Sequence, residues 1–236
     1  MTPELRRAAG AAWALRERVE HDAVRRFARL AEAVEKFDAG SPVVALLRSA
    51  SDDERRHAGF CAELRAFYGR AEEPLPREEQ IVPAGLSGRQ GVLYEMVAAC
   101  CITETESVAT LATLLAEQAG PRIQTVLHEL ARDEVSHSRM GWAHLAREAA
   151  VQDVAFLSPW IPSMLSGSVD ESLFVEQPPE ADAADFPRHG ILPRARKLEI
   201  FRSTLLEVVF PGLAKLGIDP APASAWLSAR STPAAL

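Results

Sequence analysis

Two short motifs of acids and histidine are the parts of this sequence best suited to chemistry. Asp53–His57 reads DERRH and Asp133–His137 reads DEVSH, so each places a glutamate three residues before a histidine. Side chains three residues apart lie on one face of an α-helix. Each pair can therefore aim one oxygen and one nitrogen at the same point, and two such pairs can enclose two metal ions.

Both motifs lie in long stretches whose apolar residues recur at helical spacing, with charged residues on the opposite face. Ser41-Pro42 and Gly120-Pro121 supply start signals for two of these helices. Both Glu-x-x-His pairs fall in the middle of an inward-facing stripe. The predicted helices run from Pro3 to about Phe37, from Pro42 to about Tyr68, from Arg89 to about Ala119 and from Pro121 to about Ala150.

The other two helices each carry an acid on the inward stripe, Glu20 on the first and Glu104 on the third. An acid in that position needs a partner, because burying an unpaired carboxylate is costly. Glu17 also falls on the inward stripe of the first helix and is an alternative to Glu20. Glu95 and Glu106 are the alternatives to Glu104.

Between the second and third helices, residues 70–88 contain three prolines and two glycines and show no helical period. At about 3.3 Å per residue this linker can span roughly 60 Å, enough to run the length of a helical bundle. The third helix can therefore start parallel to the second. We expect an all-α fold, a four-helix bundle with a long crossover between helices 2 and 3.

The amino-acid composition changes after residue 150. Residues 151–188 are rich in proline, serine and acids, and their short apolar segments are typical of short turns. A fifth helix is predicted from Pro193 to about Val209, kinked or stopped at Pro211, with a short helical piece around residues 223–227. We expect residues 1–150 to form the bundle and residues 151–236 to form an extension that packs on it within one domain.

Composition narrows the classes of function. The formal net charge of −7 makes nucleic acid an unlikely partner, because such binding depends on clustered Lys and Arg. No apolar run is expected to approach the roughly 20 residues that span a bilayer, and the N-terminus lacks a secretory apolar segment. Cys61, Cys100 and Cys101 form no Cys-x-x-Cys pair or disulfide framework, which favours reduced, buried thiols. We therefore expect a cytoplasmic protein without a membrane partner.

The inward acids and histidines form two similar halves, an acid on one helix followed by a Glu-x-x-His pair on the next. Four carboxylates and two imidazoles suit a pair of iron or manganese ions. The positive charge of the metals compensates acids that a core could not otherwise hold. The halves are Glu20 with Glu54 and His57, and Glu104 with Glu134 and His137.

This pattern resembles the ferritin-like di-iron carboxylate superfamily, whose site takes one acid from each of two helices and Glu-x-x-His from each of the other two. In this superfamily the motif often has the sequence Asp/Glu-Glu-x-Arg-His. The first copy, Asp53–His57, fits it completely, whereas the second has Ser136 at the arginine position. The resemblance covers about residues 10–150.

The resemblance implies a role for each matched residue. Glu54 and Glu134 are expected to bridge the metals. His57 and His137 are each expected to bind one metal, with Glu20 and Glu104 as terminal ligands.

The same resemblance gives supporting roles to residues beside the ligands. Asp53 and Asp133 are expected to orient the metal-binding imidazoles by hydrogen bonds to their free nitrogens. Cys61 and Cys101 lie one turn from His57 and Glu104, and are candidates to line a pocket, although packing is the simpler role for a buried cysteine.

These features lead to the hypothesis of a di-iron oxidase or oxygenase that takes O2 or peroxide and oxidises a small organic substrate, with an electron-donor protein as partner. Two iron ions, or a manganese/iron pair, are the expected cofactor, and a homodimer is allowed. The alternatives are a ferroxidase or peroxide-scavenging protein, and a structural bundle without activity.

Three types within the superfamily are disfavoured by the sequence. Cys61 stands where the tyrosyl-radical type has its tyrosine. Rubrerythrin has an attached Cys-x-x-Cys rubredoxin domain, and this sequence has no such motif. The extension after residue 150 fits poorly with a storage ferritin.

Overall fold

All the secondary structure that the structure describes is helical, and its described residues contain no strand. The predicted all-α fold class is therefore confirmed. The structure is a computed structural model that describes residues 1–72, 74–75, 81–86, 88–117, 119–175, 180 and 182–230.

Four long helical runs occupy most of residues 1–150 and begin and end close to the predicted positions. Pro42 and Pro121 begin two of the runs as predicted, although Ser41 makes no side-chain capping hydrogen bond. At the start of the first run, the Thr2 hydroxyl accepts a hydrogen bond from the Leu5 amide. The runs are α1 (Pro3–Phe37), α2 (Pro42–Phe67), a third run composed of α3 (Gly88–Met96), a π-helix (Val97–Thr103) and α4 (Glu104–Ala116), and α5 (Pro121–Ala149).

The linker predicted at 70–88 is non-helical wherever the structure describes it, apart from Gly88, which begins α3. Residues 73, 76–80 and 87 of this prediction lie outside the described residues. The parallel start of the third helix stays a prediction.

The π-helix interrupts the third run just before Glu104. The Glu104 amide donates to the Ala99 carbonyl five residues earlier, and the Thr103 hydroxyl donates to the Ala98 carbonyl over 3.0 Å. A π-helix inserts one extra residue into the turn and shifts everything after it around the helix axis. Residues 93–102 are all buried. This stretch therefore lacks the alternation of buried and exposed positions from which the sequence could reveal the inserted residue.

The run Gly88–Ala116 is long and apolar enough to cross a membrane on length and composition alone, with a mean hydropathy of 1.2. This corrects the expectation that no run of the kind occurs. More than half of its apolar window, 56%, is buried inside the protein, and Glu95 and Glu104 are buried within the run. These are the properties of a core helix.

The chain divides into two compact units. In the first, α1 packs along α2, and the Ser51 hydroxyl donates to the Val24 carbonyl over 2.9 Å. In the second, α6 (Ile161–Ser168) packs against the π-helix Val97–Thr103 and against α9 (Ala221–Ala229). The first unit comprises Met1–Val92, Leu111–Asp133 and Glu180–Pro193, and the second comprises Leu93–Thr110, Glu134–Pro179 and Arg194–Leu236. The predicted boundary near residue 150 stays a prediction.

A 3₁₀ turn at Ala183–His189 is bound to α1 through Trp13 and to the end of α2 through Tyr68. The indole of Trp13 donates to the His189 carbonyl over 2.9 Å, and the Tyr68 hydroxyl lies 2.9 Å from His189 Nδ1. Burial raises the pKa of the Tyr68 hydroxyl to about 12, against a smaller opposing effect of Arg6. Tyr68 therefore stays protonated and acts as a structural clamp.

The segments after residue 150 are short helices joined by turns, as expected for 151–188. Of the kink or stop predicted at Pro211, the stop is wrong, because helix continues through the proline. A π-helix precedes the proline, and Pro211 is in the first turn of α8. These elements are 3₁₀ turns at Ala155–Trp160 and Glu171–Phe174, α7 (Arg194–Thr204), a π-helix (Leu205–Val209), α8 (Phe210–Lys215) and α9.

A close backbone approach in the second unit gives a testable prediction. A Cβ added at Gly141 of α5 would lie 2.2 Å from Cys100 Cβ in the π-helix and 3.1 Å from the Cys100 carbonyl carbon. Gly141→Ala is therefore expected to lower the free energy of unfolding by roughly 1–3 kcal/mol, as overpacking typically does.

The matched control is Gly59→Ala on α2, whose added Cβ would meet nothing within 4 Å. This change is expected to raise stability by up to about 1 kcal/mol through helix propensity. Urea unfolding of both variants measures the effects. A Gly141→Ala protein as stable as Gly59→Ala would contradict the close contact.

Candidate metal centre

All six predicted ligand residues lie in helices and are buried. Glu20 is in α1, Glu54 and His57 are in α2, and their exposed fractions do not exceed 5%. Glu104 opens α4 directly after the π-helix, and Glu134 and His137 lie in the middle of α5. The last three expose between 2% and 7% of their surface.

The structure brings these side chains into two groups. Within each group, one oxygen or nitrogen atom from every residue lies within 4.8 Å of the others. Glu54 and Glu134 belong to both groups, which is the arrangement expected of residues that contact two metals. One group is Glu20, Glu54, His57 and Glu134, and the other is Glu54, Glu104, Glu134 and His137.

Asp133 supports the imidazole of His57, on the other helix. Its Oδ2 lies 3.0 Å from His57 Nε2, and because an ionised carboxylate only accepts hydrogen bonds, that nitrogen carries the proton. A carboxylate on the outer nitrogen fixes the tautomer and the ring orientation of a metal-binding histidine. The nitrogen left to bind a metal is Nδ1.

In each Glu-x-x-His pair, Nδ1 faces the glutamate of its own motif. His57 Nδ1 lies 3.2 Å from Glu54 Oε2, and His137 Nδ1 lies 3.2 Å from Glu134 Oε2. A nitrogen lone pair and a carboxylate oxygen repel each other at this distance unless a positive charge lies between them. A proton or a metal ion meets that requirement.

Asp133 is held ionised by its neighbours. Burial opposes its ionisation, but hydrogen bonds from Arg132, His57 and Arg56 outweigh that effect and hold the pKa of the Asp133 carboxyl well below its usual range. Arg56 also donates to Asp53 over 3.0 Å, so one guanidinium joins the acids that precede the two motifs. The expected action of Asp53 on an imidazole stays a prediction.

The structure places the alternative acids outside the two groups of candidate ligands. Glu17 is buried, as its place on the stripe predicts, and its carboxylate accepts a hydrogen bond from the Arg65 guanidinium. Glu106 is only partly buried and accepts from the Thr110 hydroxyl over 3.0 Å. Glu95 is buried in α3. None of these three belongs to either group of candidate ligands.

Sequence reasoning missed a hydroxyl network that ties α4 to α5 beside two ligands. Thr105 follows Glu104, Ser138 follows His137, and the two buried hydroxyls lie 2.8 Å apart. The Trp142 indole donates to the Thr105 hydroxyl over 3.2 Å. An added Cβ at Gly212 would lie 2.7 Å from the Trp142 ring, so the C-terminal segment packs tightly on this network. A threonine next to a glutamate and a serine next to a histidine carry no sequence signal that predicts such a pairing.

The cysteines are buried and free of disulfides. Burial, reinforced by Glu20 among other acids, raises the pKa of the Cys61 thiol well above its usual value, with Arg16 opposing. Burial alone raises the pKa of the Cys101 thiol. Both are therefore neutral thiols at physiological pH, and their part in lining a pocket stays a prediction.

The donor set fits two iron ions. Four carboxylates share a small buried volume with two imidazoles, and oxygen with imidazole nitrogen is the donor chemistry of non-haem iron. Two divalent cations balance four negative charges that would otherwise repel one another in a low-dielectric core. Helices that supply two single acids and two Glu-x-x-His pairs define a di-iron carboxylate protein of the ferritin-like class.

Comparison with known proteins agrees with this class. A protein-family model described as Rubrerythrin matches residues 17–145, more than half of the chain and all six candidate ligands. The chain belongs to the rubrerythrin family, whose members bind two iron ions. A comparison with curated proteins finds no significant match.

This family assignment confirms the resemblance to the ferritin-like superfamily. It also corrects the view that the rubrerythrin type is disfavoured. The rubredoxin motif is indeed missing, since the three cysteines form no Cys-x-x-Cys pair. The di-iron part of the family is nevertheless present in residues 17–145.

The contact between Asp133 and His57 can be tested by Asp133→Asn. The amide keeps the shape but loses the charge that orients the imidazole, and such changes typically weaken metal binding by about 10–100-fold. Titration of the iron-free protein with Co(II), followed by absorbance, measures the affinity.

Asp52→Asn is the matched control, because Asp52 is an exposed acid on α2 that pairs with Arg55. It is expected to bind Co(II) like the unmodified protein. An unchanged affinity in Asp133→Asn would show that Asp133 does not support the site.

Proposed function

We propose that this protein is a di-iron oxidoreductase that reduces hydrogen peroxide or dioxygen. The single observation that carries the proposal is the pair of buried donor groups that share Glu54 and Glu134. A pair of iron ions held there supplies the electrons that reduce the oxidant. Glu54 and Glu134 are the proposed bridging ligands. The other proposed ligands are His57, His137, Glu20 and Glu104.

The residues around the site have separate tasks in this proposal. Asp133 keeps the His57 proton on Nε2 and so leaves Nδ1 for metal. The linked hydroxyls of Thr105 and Ser138 keep α4 and α5 in register beside Glu104 and His137. Burial of the six donors excludes bulk water, which strengthens their electrostatic interactions. An electron-donor protein is required to return the metals to the reduced state after each turnover.

Family membership supports a small oxidant, O2 or peroxide, as the partner. We therefore place reduction of a small oxidant before oxidation of an organic substrate, which reverses the order favoured by the sequence.

Oxidation of a small organic substrate is the second candidate. It is favoured by the packing of α6, beyond the matched family region, against the π-helix that leads into Glu104. π-helices within α-helical runs often mark functional sites. Iron handling as a ferroxidase would use the same ligands, with Fe(II) as substrate.

A cytoplasmic location is part of the proposal. Cys61, Cys100 and Cys101 are all free thiols, as is usual in a reducing compartment.

Single-turnover reaction with peroxide tests the proposed function. Protein loaded anaerobically with two Fe(II) per chain is expected to consume one H2O2, because two Fe(II) and two protons convert it to two waters and two Fe(III). Glu134→Ala is expected to lose this reaction through loss of metal, whereas His128→Ala, at an exposed position on the same helix, is expected to keep it.

Peroxide consumption no faster than by free Fe(II) would contradict the proposal. Hydroxylation of indole, used as a probe with O2 and the reduced protein, would favour the second candidate.

A further inference from the structure

A small cavity lies between α1 and α2, one turn from a proposed metal ligand. Its volume is about 120 Å³, large enough for a molecule of a few heavy atoms. Ala14, Glu17, Arg18 and His21 line it from α1, and Arg65 lines it from α2. Nothing in the proposed di-iron chemistry uses these residues.

The charges that line the cavity balance. Glu17 and Arg65 form a buried ion pair, each exposing 8% of its surface, and Arg65 also donates to the Arg70 carbonyl over 2.8 Å. Arg18 and Glu72 contribute one more charge of each sign to the lining. A cavity whose formal charges cancel attracts neither cations nor anions strongly, so it suits a small neutral molecule that forms hydrogen bonds.

The cavity lies close to the metal centre along both helices. Glu17 precedes the proposed ligand Glu20 by three residues, a rise of about 4.5 Å along α1. Arg65 follows Cys61 by four residues on α2, about 6 Å in rise. The Cys61 thiol is within electrostatic reach of Glu17, Glu20 and Glu54. Cys61 therefore lies between the ion pair and the ligands.

We propose that this cavity is the entry site for hydrogen peroxide, which passes the Glu17–Arg65 pair and Cys61 to reach the metal centre. The inference rests on the proposed function, because it assigns the route of that reaction's oxidant. Peroxide is neutral, donates and accepts hydrogen bonds, and is small enough to occupy the cavity. Fe(II) is a poorer match, because Glu17 is already bound to Arg65 and a second guanidinium lines the space.

The first test fills the cavity from its rim. His21→Trp and Leu75→Trp each place an indole at a partly exposed lining position. Val19→Trp is the matched control, because Val19 is on α1, 48% exposed and not part of the lining. In iron-loaded protein, the two filled variants are expected to react with H2O2 at no more than about one tenth of the original rate, because entry then requires a local opening. Val19→Trp is expected to keep the original rate.

The second test uses iron-free protein and does not depend on activity. Methyl methanethiosulfonate is a small neutral reagent that transfers its methylthio group to a thiol, forming a disulfide and releasing methanesulfinic acid. Peptide mass spectrometry then reports the labelling rate of each cysteine. Cys61 is expected to be labelled about tenfold more slowly in both filled variants than in Val19→Trp, since labelling then awaits a local opening.

Cys101 serves as the internal control, because it is buried in the π-helix and does not line the cavity. A variant that merely changes global opening would alter the labelling of Cys61 and Cys101 together. The entry site would be overturned if Cys61 were labelled at the same rate in the filled and control variants. It would also be overturned if Cys61 in the original protein were labelled only as fast as the protein unfolds. If Cys61 labelling falls as expected while the loaded protein fails to consume peroxide, the route stands and the proposed function fails.

Discussion

The fold depends on holding four carboxylates in a dry interior. Two like charges 4 Å apart repel by roughly 4 kcal/mol at an effective dielectric constant of about 20, and the six donors place several such contacts in one small volume. Glu54 and Glu134 belong to both donor groups, so each of these two carboxylates adds its charge to both. The interior is therefore stable only when cations or protons occupy the space between the acids, and this couples folding to metal binding.

The surrounding residues make that arrangement specific. Asp133 holds the His57 ring from α5 while Arg132 and Arg56 keep Asp133 ionised. Thr105 and Ser138 lock the helices that carry Glu104 and His137. The π-helix before Glu104 adds one residue to its turn, and Gly141 lets the Cys100 backbone approach α5 closely. The Asp133 hydrogen bond acts on a donor directly, and the other contacts act on the helices that carry the donors.

The sequence predicts the helices and the buried acids well, because both depend on a periodic pattern. Glu54, His57, Glu134 and His137 fall on apolar stripes, and only a helix of 3.6 residues per turn buries them together. The π-helix escaped prediction, because residues 93–102 are buried on all sides and leave no period to read. The family resemblance predicts that Asp133 orients a metal-binding imidazole, but its contact with His57 in particular and the pairing of Arg65 with Glu17 are not predicted. They join residues on different helices, and spacing within one helix carries no information about such partners.

Anomalous diffraction shows directly whether the six donors hold two metal ions. Crystals grown with Fe(II) under anaerobic conditions are measured on both sides of the iron absorption edge. We expect two anomalous peaks about 3.5–4 Å apart, as in other two-metal sites, surrounded by Glu20, Glu54, His57, Glu104, Glu134 and His137. A single peak, or iron bound only elsewhere, would contradict it.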